Sequence, residues 1–319
     1  MSIKKSEFLK DNDVKQFIEF LAEVIVGSRP VKHEYWDQKL AGRKKEPEKK
    51  AHRCFTTLKK AFDEYYWPQY KTKFDHNLDI LKPLRDQIAT ATTREAAYYA
   101  TSRILWWGAG NSGQTLYSGN MSWLNKKIDN GSSTLEILND ADKLFSADPF
   151  DGSPFDGNAH RSNAGFTKVY ALRFEEFIIY DSRVAAALGL LVAQYCEQRG
   201  YNKVPSKLEL GWSQAKYKRT GEKEPLDNRN PSRGTLKFRE IGSNDHDLHA
   251  QSNWRANIFL SKAISSLEKQ NRKPDWLSSC DQLRRVEAAL FMLGKDIPKD
   301  RRKFPAGVKL KWPGMLKSP

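Results

Sequence analysis

Cysteine, long apolar runs and strand-like alternation are all scarce in this chain, and each shortage excludes something. Cys54, Cys196 and Cys280 are the only cysteines among 319 residues. They are odd in number and widely spaced, which fits neither a disulfide framework nor a zinc pattern. A reducing, cytoplasmic setting follows as the expectation. Charges interrupt the longest apolar stretches before they reach bilayer length, and the opening MSIKKSEFLKDNDVKQF lacks the apolar segment of a signal peptide, so no membrane partner is expected. The chain has no Gly-Lys-Ser/Thr phosphate loop and no internal repeat, and no cofactor or metal is expected. Because alternation is scarce and 3.6-residue spacing common, the expected fold is mainly α.

What the chain does have is basic charge and enough apolar and aromatic residues (39% and 12%) for a core. The net charge of +15 is concentrated. Residues 42–60 carry eight Lys/Arg against two acids, residues 216–239 eight against three, and residues 295–319 eight against two. The remainder is close to neutral. Basic clusters beside a neutral body suit a polyanion partner, since each phosphate contact releases counterions. The plain alternative is three solvated loops.

Along the chain, Val14, Phe17, Ile18, Leu21 and Ile25 predict a helix over 12–26, stopped at Gly27. A surface loop is expected over 31–50, then a helical pattern over 51–67 through Phe55, Leu58, Phe62 and Tyr65. A helix over 75–88 should break at Pro83. Thr92 and Glu95 fit a capping box for the helix that ends near Gly108. Residues 111–133 read as loop around a short amphipathic segment, and 134–145 as helix. Residues 148–165 are turn-rich. Residues 213–247 form a long aperiodic basic stretch, expected to be a functional or mobile insertion. Helices are expected again over 249–269 and 275–293, followed by a basic tail.

The most apolar stretch, FTKVYALRFEEFIIYDSRVAAALGLLVAQYCEQRG, runs from Phe166 to Gly200 and contains Lys168 and Asp181. Asp181 precedes Val184, Leu188, Leu191, Val192 and Tyr195 at helical spacing and is a natural N-cap, favoured as a carboxylate at a helix N-terminus. An amine among apolar side chains is disfavoured in its charged form, which makes it more nucleophilic. Amine and carboxylate together can cleave a glycosidic bond, the carboxylate facing a cationic sugar while the amine captures the anomeric carbon. A snorkelling lysine beside an ordinary cap explains the same residues. His246, Asp247 and His249 lie close in sequence, but a metal site needs further ligands, and a polar loop entering a helix accounts for them.

The string FTKVYAL…FIIYDSRVAAAL resembles the lysine–aspartate core of the 8-oxoguanine DNA glycosylase fold in the helix-hairpin-helix DNA glycosylase superfamily, and is most similar to its archaeal and bacterial branch. RILWWGAGN before it and LRRVEAALFMLG after it are compatible flanks. The resemblance implies two helical lobes around a cleft, with 1–90 a divergent N-terminal helical part, 91–200 a catalytic core, 213–247 a basic insertion and 248–319 the C-terminal helices and tail. It implies that Lys168 is the nucleophile and that Asp181 activates it or stabilises the oxocarbenium-like sugar. The target base would be flipped against an aromatic wall, for which Trp106, Trp107 and Phe291 are the candidates. Arg183, Lys216, Lys218, Arg219, Arg301, Arg302 and Lys303 are the candidate DNA contacts.

The function expected from the sequence is therefore a DNA glycosylase acting on a damaged or modified base in double-stranded DNA, with or without AP-lyase activity, in repair or in defence against modified phage DNA. A non-catalytic DNA-binding protein of the same fold is the alternative. A metal-dependent nuclease around His246, Asp247 and His249 is a weaker third.

Overall fold

A computed structural model describes residues 2–31, 33–36, 52–109, 114–215, 227–277 and 281–297. Helix α1 (Lys5–Lys10) leads into α2 (Asn12–Val26). The Asp11 side chain caps α2 by accepting the Val14 N–H at 3.2 Å, and Gly27 ends it at φ 82°, in the left-handed region that favours glycine. Strands β1 (His33–Trp36) and β2 (His52–Phe55) pair antiparallel, with His33 opposite Phe55. Helices follow as α3 (Leu58–Asp63), α4 (Phe74–Ala89), α5 (Arg94–Ala109), α6 (Gln114–Asp129), α7 (Thr134–Ser146), α8 (Phe166–Arg173), α9 (Ser182–Gln198), α10 (His246–Lys269) and α11 (Gln282–Leu293). The described chain is thus mainly helical.

Several local expectations are corrected. The pattern over 51–67 splits into β2 and α3, because Thr57 is extended (φ −142°) and caps α3 through its side chain, which accepts the Lys60 N–H. α4 runs through Pro83 unbroken. Proline removes only one backbone bond, and Leu81 and Leu84 are buried on either side of it. Thr93, not Thr92, caps α5, its hydroxyl accepting the Ala96 N–H at 3.2 Å. Residues 114–129, expected as mostly loop, form α6: Asn120, Met121, Trp123 and Leu124 bury one face, and packing outweighs the weak helix propensity of the Ser and Asn residues. The last apolar pattern divides into a 3₁₀ turn (Asp275–Leu277) and α11. The expected insertion over 213–247 is, in its described part, packed structure. Asp227, Arg229, Leu236, Phe238 and Ile241 are buried, and Pro231 sits over α9 so closely that a Cβ on Gly189 would meet its Cγ at 2.6 Å.

One buried cluster extends from Phe8 to Ile297. α9 is its axis: twelve of its seventeen residues are buried, which is why it reads as a nearly continuous apolar run rather than a stripe. α11 packs against both α9 and α3, α10 against α2, and α8 against α4 and α5. The last turn of α11 meets the first turn of α9 so tightly that a Cβ on Gly294 would lie 1.8 Å from the Arg183 carbonyl oxygen. Among the described residues, no helix is long and apolar enough to cross a membrane.

Candidate active site

The site begins with an extended segment, Phe177 to Tyr180, that is buried yet belongs to no sheet. Buried backbone N–H and C=O groups need partners, and here side chains from three helices supply them. The Ile178 N–H donates to Asn257 Oδ1 at 2.9 Å, and its carbonyl accepts from Asn253 Nδ2 at 3.3 Å and from the Thr167 hydroxyl at 3.2 Å. The Ile179 N–H donates to Glu287 Oε2 at 2.5 Å, and the Tyr180 N–H to Thr167 Oγ1 at 2.9 Å. The Tyr180 carbonyl accepts from His249 Nε2 at 2.9 Å, and the Phe177 carbonyl from Arg284. The chain is thereby delivered to Asp181 along a fixed path. Asp181 Oδ1 accepts the Arg183 and Val184 N–H groups at 2.9 and 3.0 Å, which caps α9 and leaves Oδ2 outside the capping bonds.

Lys168 lies in the first turn of α8 and is buried. Its ammonium donates to the Ala164 carbonyl. Its stem runs across Gly108 of α5, where a Cβ would lie 2.1 Å from Lys168 Cδ. A side chain at that point would push the lysine stem off this path. Burial pushes the Lys168 pKa down, while the negative charges of Asp181 and Glu287 pull it partly back up.

Lys168 and Asp181 face one recess of about 460 Å³ of non-atom space, its open mouth included. Its wall is aromatic: Trp67 stacks on Trp107 (4.9 Å between centroids, 18° between planes), and Phe291 lies 5.4 Å from Trp67 and 6.0 Å from Tyr65. Arg183 places its guanidinium 4.2 Å over the Phe291 ring. Asn77 also lines the recess, receiving the Trp107 indole N–H at 3.3 Å and donating to the Tyr65 hydroxyl at 3.1 Å. Glu287 is a third ionisable group in the wall. Burial raises its pKa to about 7, against the opposing pull of Arg284, with which it pairs at 2.7 Å.

The structure thus brings together Lys168, Asp181, Trp107, Phe291 and Arg183. Trp106 is corrected: it lies on the outer face of α5, edge-on to Tyr117 at 5.3 Å, and is not part of the recess. Adjacent helical residues point about 100° apart, so Trp106 and Trp107 cannot share a wall. Trp67 takes its place. Lys216, Lys218, Arg219, Arg301, Arg302 and Lys303 lie outside the described residues, as does most of the clustered basic charge. The sequence reading missed Trp67, Tyr65, Asn77 and Glu287. Only Glu287 carried a signal, a carboxylate inside the apolar run VEAALFML of α11.

The histidines are structural. His249 Nε2–H donates to the Tyr180 carbonyl, and its Nδ1 accepts from the Ser162 hydroxyl at 2.8 Å. Both ring nitrogens are therefore engaged, and burial holds its pKa down at about 3. His246 Nδ1 is bonded to the Ser162 carbonyl. Among the described residues, no three His, Cys, Asp or Glu side chains are grouped to hold a metal ion.

Comparison with protein-family models, with curated proteins and with solved structures gives no match.

Proposed function

We propose that the protein is a DNA N-glycosylase of helix-hairpin-helix type whose reaction is carried by Lys168 and Asp181. The single observation behind this reading is a desolvated amine and a helix-capping carboxylate facing one aromatic-walled recess. A flipped base enters the recess and stacks on its rings. Lys168, in its neutral form, attacks C1′ of the deoxyribose. The C1′–Nζ bond forms as the bond from C1′ to the base breaks, and the base leaves with the bonding electron pair and takes up a proton. Asp181 stabilises the positive charge that develops on the sugar ring. Glu287, with its pKa near neutrality, is the wall group suited to supply or take that proton. Loss of the proton from the attached nitrogen and opening of the sugar ring give a Schiff base, from which the strand is cut by β-elimination.

Borohydride reduces a Schiff base to a stable protein–DNA adduct. The expected result is an adduct between wild-type protein and DNA carrying the substrate base, none with Lys168→Gln, and free base in the supernatant identified by mass spectrometry. Salt-dependent binding of DNA with no base release, unchanged by substitution of Lys168 or Asp181, would favour a non-catalytic binding protein.

A further inference from the structure

Four of the five large apolar or aromatic side chains exposed among the described residues lie on two joined stretches, the turn before α4 and one face of α5. They are Tyr66 (44% exposed), Tyr70 (39%), Tyr99 (62%) and Trp106 (52%). Tyr99, Arg103 and Trp106 share a face of α5 by their i, i+4, i+7 spacing, and the Arg103 guanidinium lies 5.6 Å over the Tyr99 ring. Tyr66 and Tyr70 lie on the turn between α3 and α4. That turn is closed by reciprocal backbone bonds between Trp67 and Thr72 (2.8 and 3.3 Å) and holds Lys71 at φ 52°. Gln69 joins turn to helix by donating to the Trp106 carbonyl at 3.3 Å. Each half of the strip is also tied to the recess: Trp67 and Trp107, next in sequence to exposed Tyr66 and Trp106, form the stacked pair in its wall.

Charge selects the partner. Residues 65–73 and 96–109 contain no Asp or Glu, while Lys71, Lys73 and Arg103 are exposed among the rings. Aromatic faces beside cations are what a polyanion with free π-faces requires, and bases offer their faces only where they are unpaired and unstacked. We infer that this strip is a stacking platform for unpaired nucleotides of single-stranded DNA adjoining the nucleotide whose base enters the recess. The inference rests on the glycosylase reading for the last clause alone. The platform binds DNA whether or not the recess performs chemistry.

The test uses the full chain carrying Lys168→Gln, so that no reaction interferes. Binding of a fluorescein-labelled thymidine 12-mer and of a blunt duplex is measured by anisotropy as a function of salt, with Trp106→Ala, Tyr99→Ala and Tyr70→Ala added singly and together. All three residues are exposed, so the variants are expected to fold, and thermal unfolding checks this. Each alanine should weaken single-strand binding at least about five-fold. Trp106→Phe should retain most of the affinity, duplex binding should change less than about two-fold, and the salt slope should stay the same because phosphate contacts remain. Equal losses on duplex and single strand, or no loss on the single strand, would overturn the inference. So would binding only of a protein partner through this face. Base release by the platform variants carrying Lys168 is a separate readout, and its absence in wild-type protein would remove the glycosylase reading while leaving the binding result intact.

Discussion

Two clusters of buried polar groups lie a few residues apart, and they are used in opposite ways. Beneath residues 177–180, Thr167, His249, Asn253 and Asn257 direct their hydrogen-bonding atoms at backbone groups, at one another or at the Ser162 hydroxyl. In the recess next to them, Lys168, Asp181, Glu287 and Trp67 keep capacity in reserve. Asp181 Oδ2 is outside the cap, and the buried Trp67 Nε1–H has no acceptor among the described residues. Fully bonded polar groups hold a backbone path, while groups with bonding capacity left over mark the place where something else binds. His249 belongs to the first kind, since both of its ring nitrogens are bonded.

The comparison breaks most sharply at Lys168. Lys168→Gln should abolish borohydride trapping while leaving thermal unfolding at or above the wild-type temperature, since burial already disfavours the ammonium. Gly108→Ala should come next, with base release lower by about 100-fold. The new Cβ would occupy the lysine's path, and displacements of about 1 Å cost that much. Its stability should change little, because alanine's better helix propensity offsets part of the crowding. On the scaffold side, Asn253→Ala leaves Thr167 and the Ile178 carbonyl short of partners and should cost about 1–3 kcal/mol in denaturant unfolding. The smallest effect expected is on pH. Trapping should rise with pH as Lys168 loses its proton, with a midpoint below that of an ordinary lysine. Glu287→Gln removes a negative charge that raises the Lys168 pKa, so it should move the rise to lower pH. Movement to higher pH would show that Glu287 does not act on Lys168 through its charge.

The same contrast explains what could be read from the sequence. α2, α9 and α10 were legible because their buried residues recur at helical spacing, and Asp181 was legible because a cap is a local device. Lys168 stood out by polarity against its neighbours. β2 was hidden because Phe55 fell into register with the helical pattern of Leu58 and Phe62. α6 was hidden because Ser118, Asn120 and Ser122 read as loop, although Asn120 exchanges hydrogen bonds with Asn163 and Trp123 packs edge-on against Phe166 at 5.1 Å. Glu287 and Trp67 lie more than a hundred residues away from Lys168 and from opposite ends of the chain. Only the packing of α11 on α3 and α9 brings such positions into one wall.

The hydrogen bond from Ile179 to Glu287 has a consequence for how this pocket can change. The carboxylate that faces the recess also anchors the peptide two residues before Asp181, so the groups that would choose a base and the group that would serve the sugar are mechanically joined. A variant library randomised at position 287 and screened by turnover would discard new specificities as dead proteins. Pairing each change at 287 with changes at Ile179 or Arg284 would separate the two, and divergence of this pocket should proceed through such coupled substitutions.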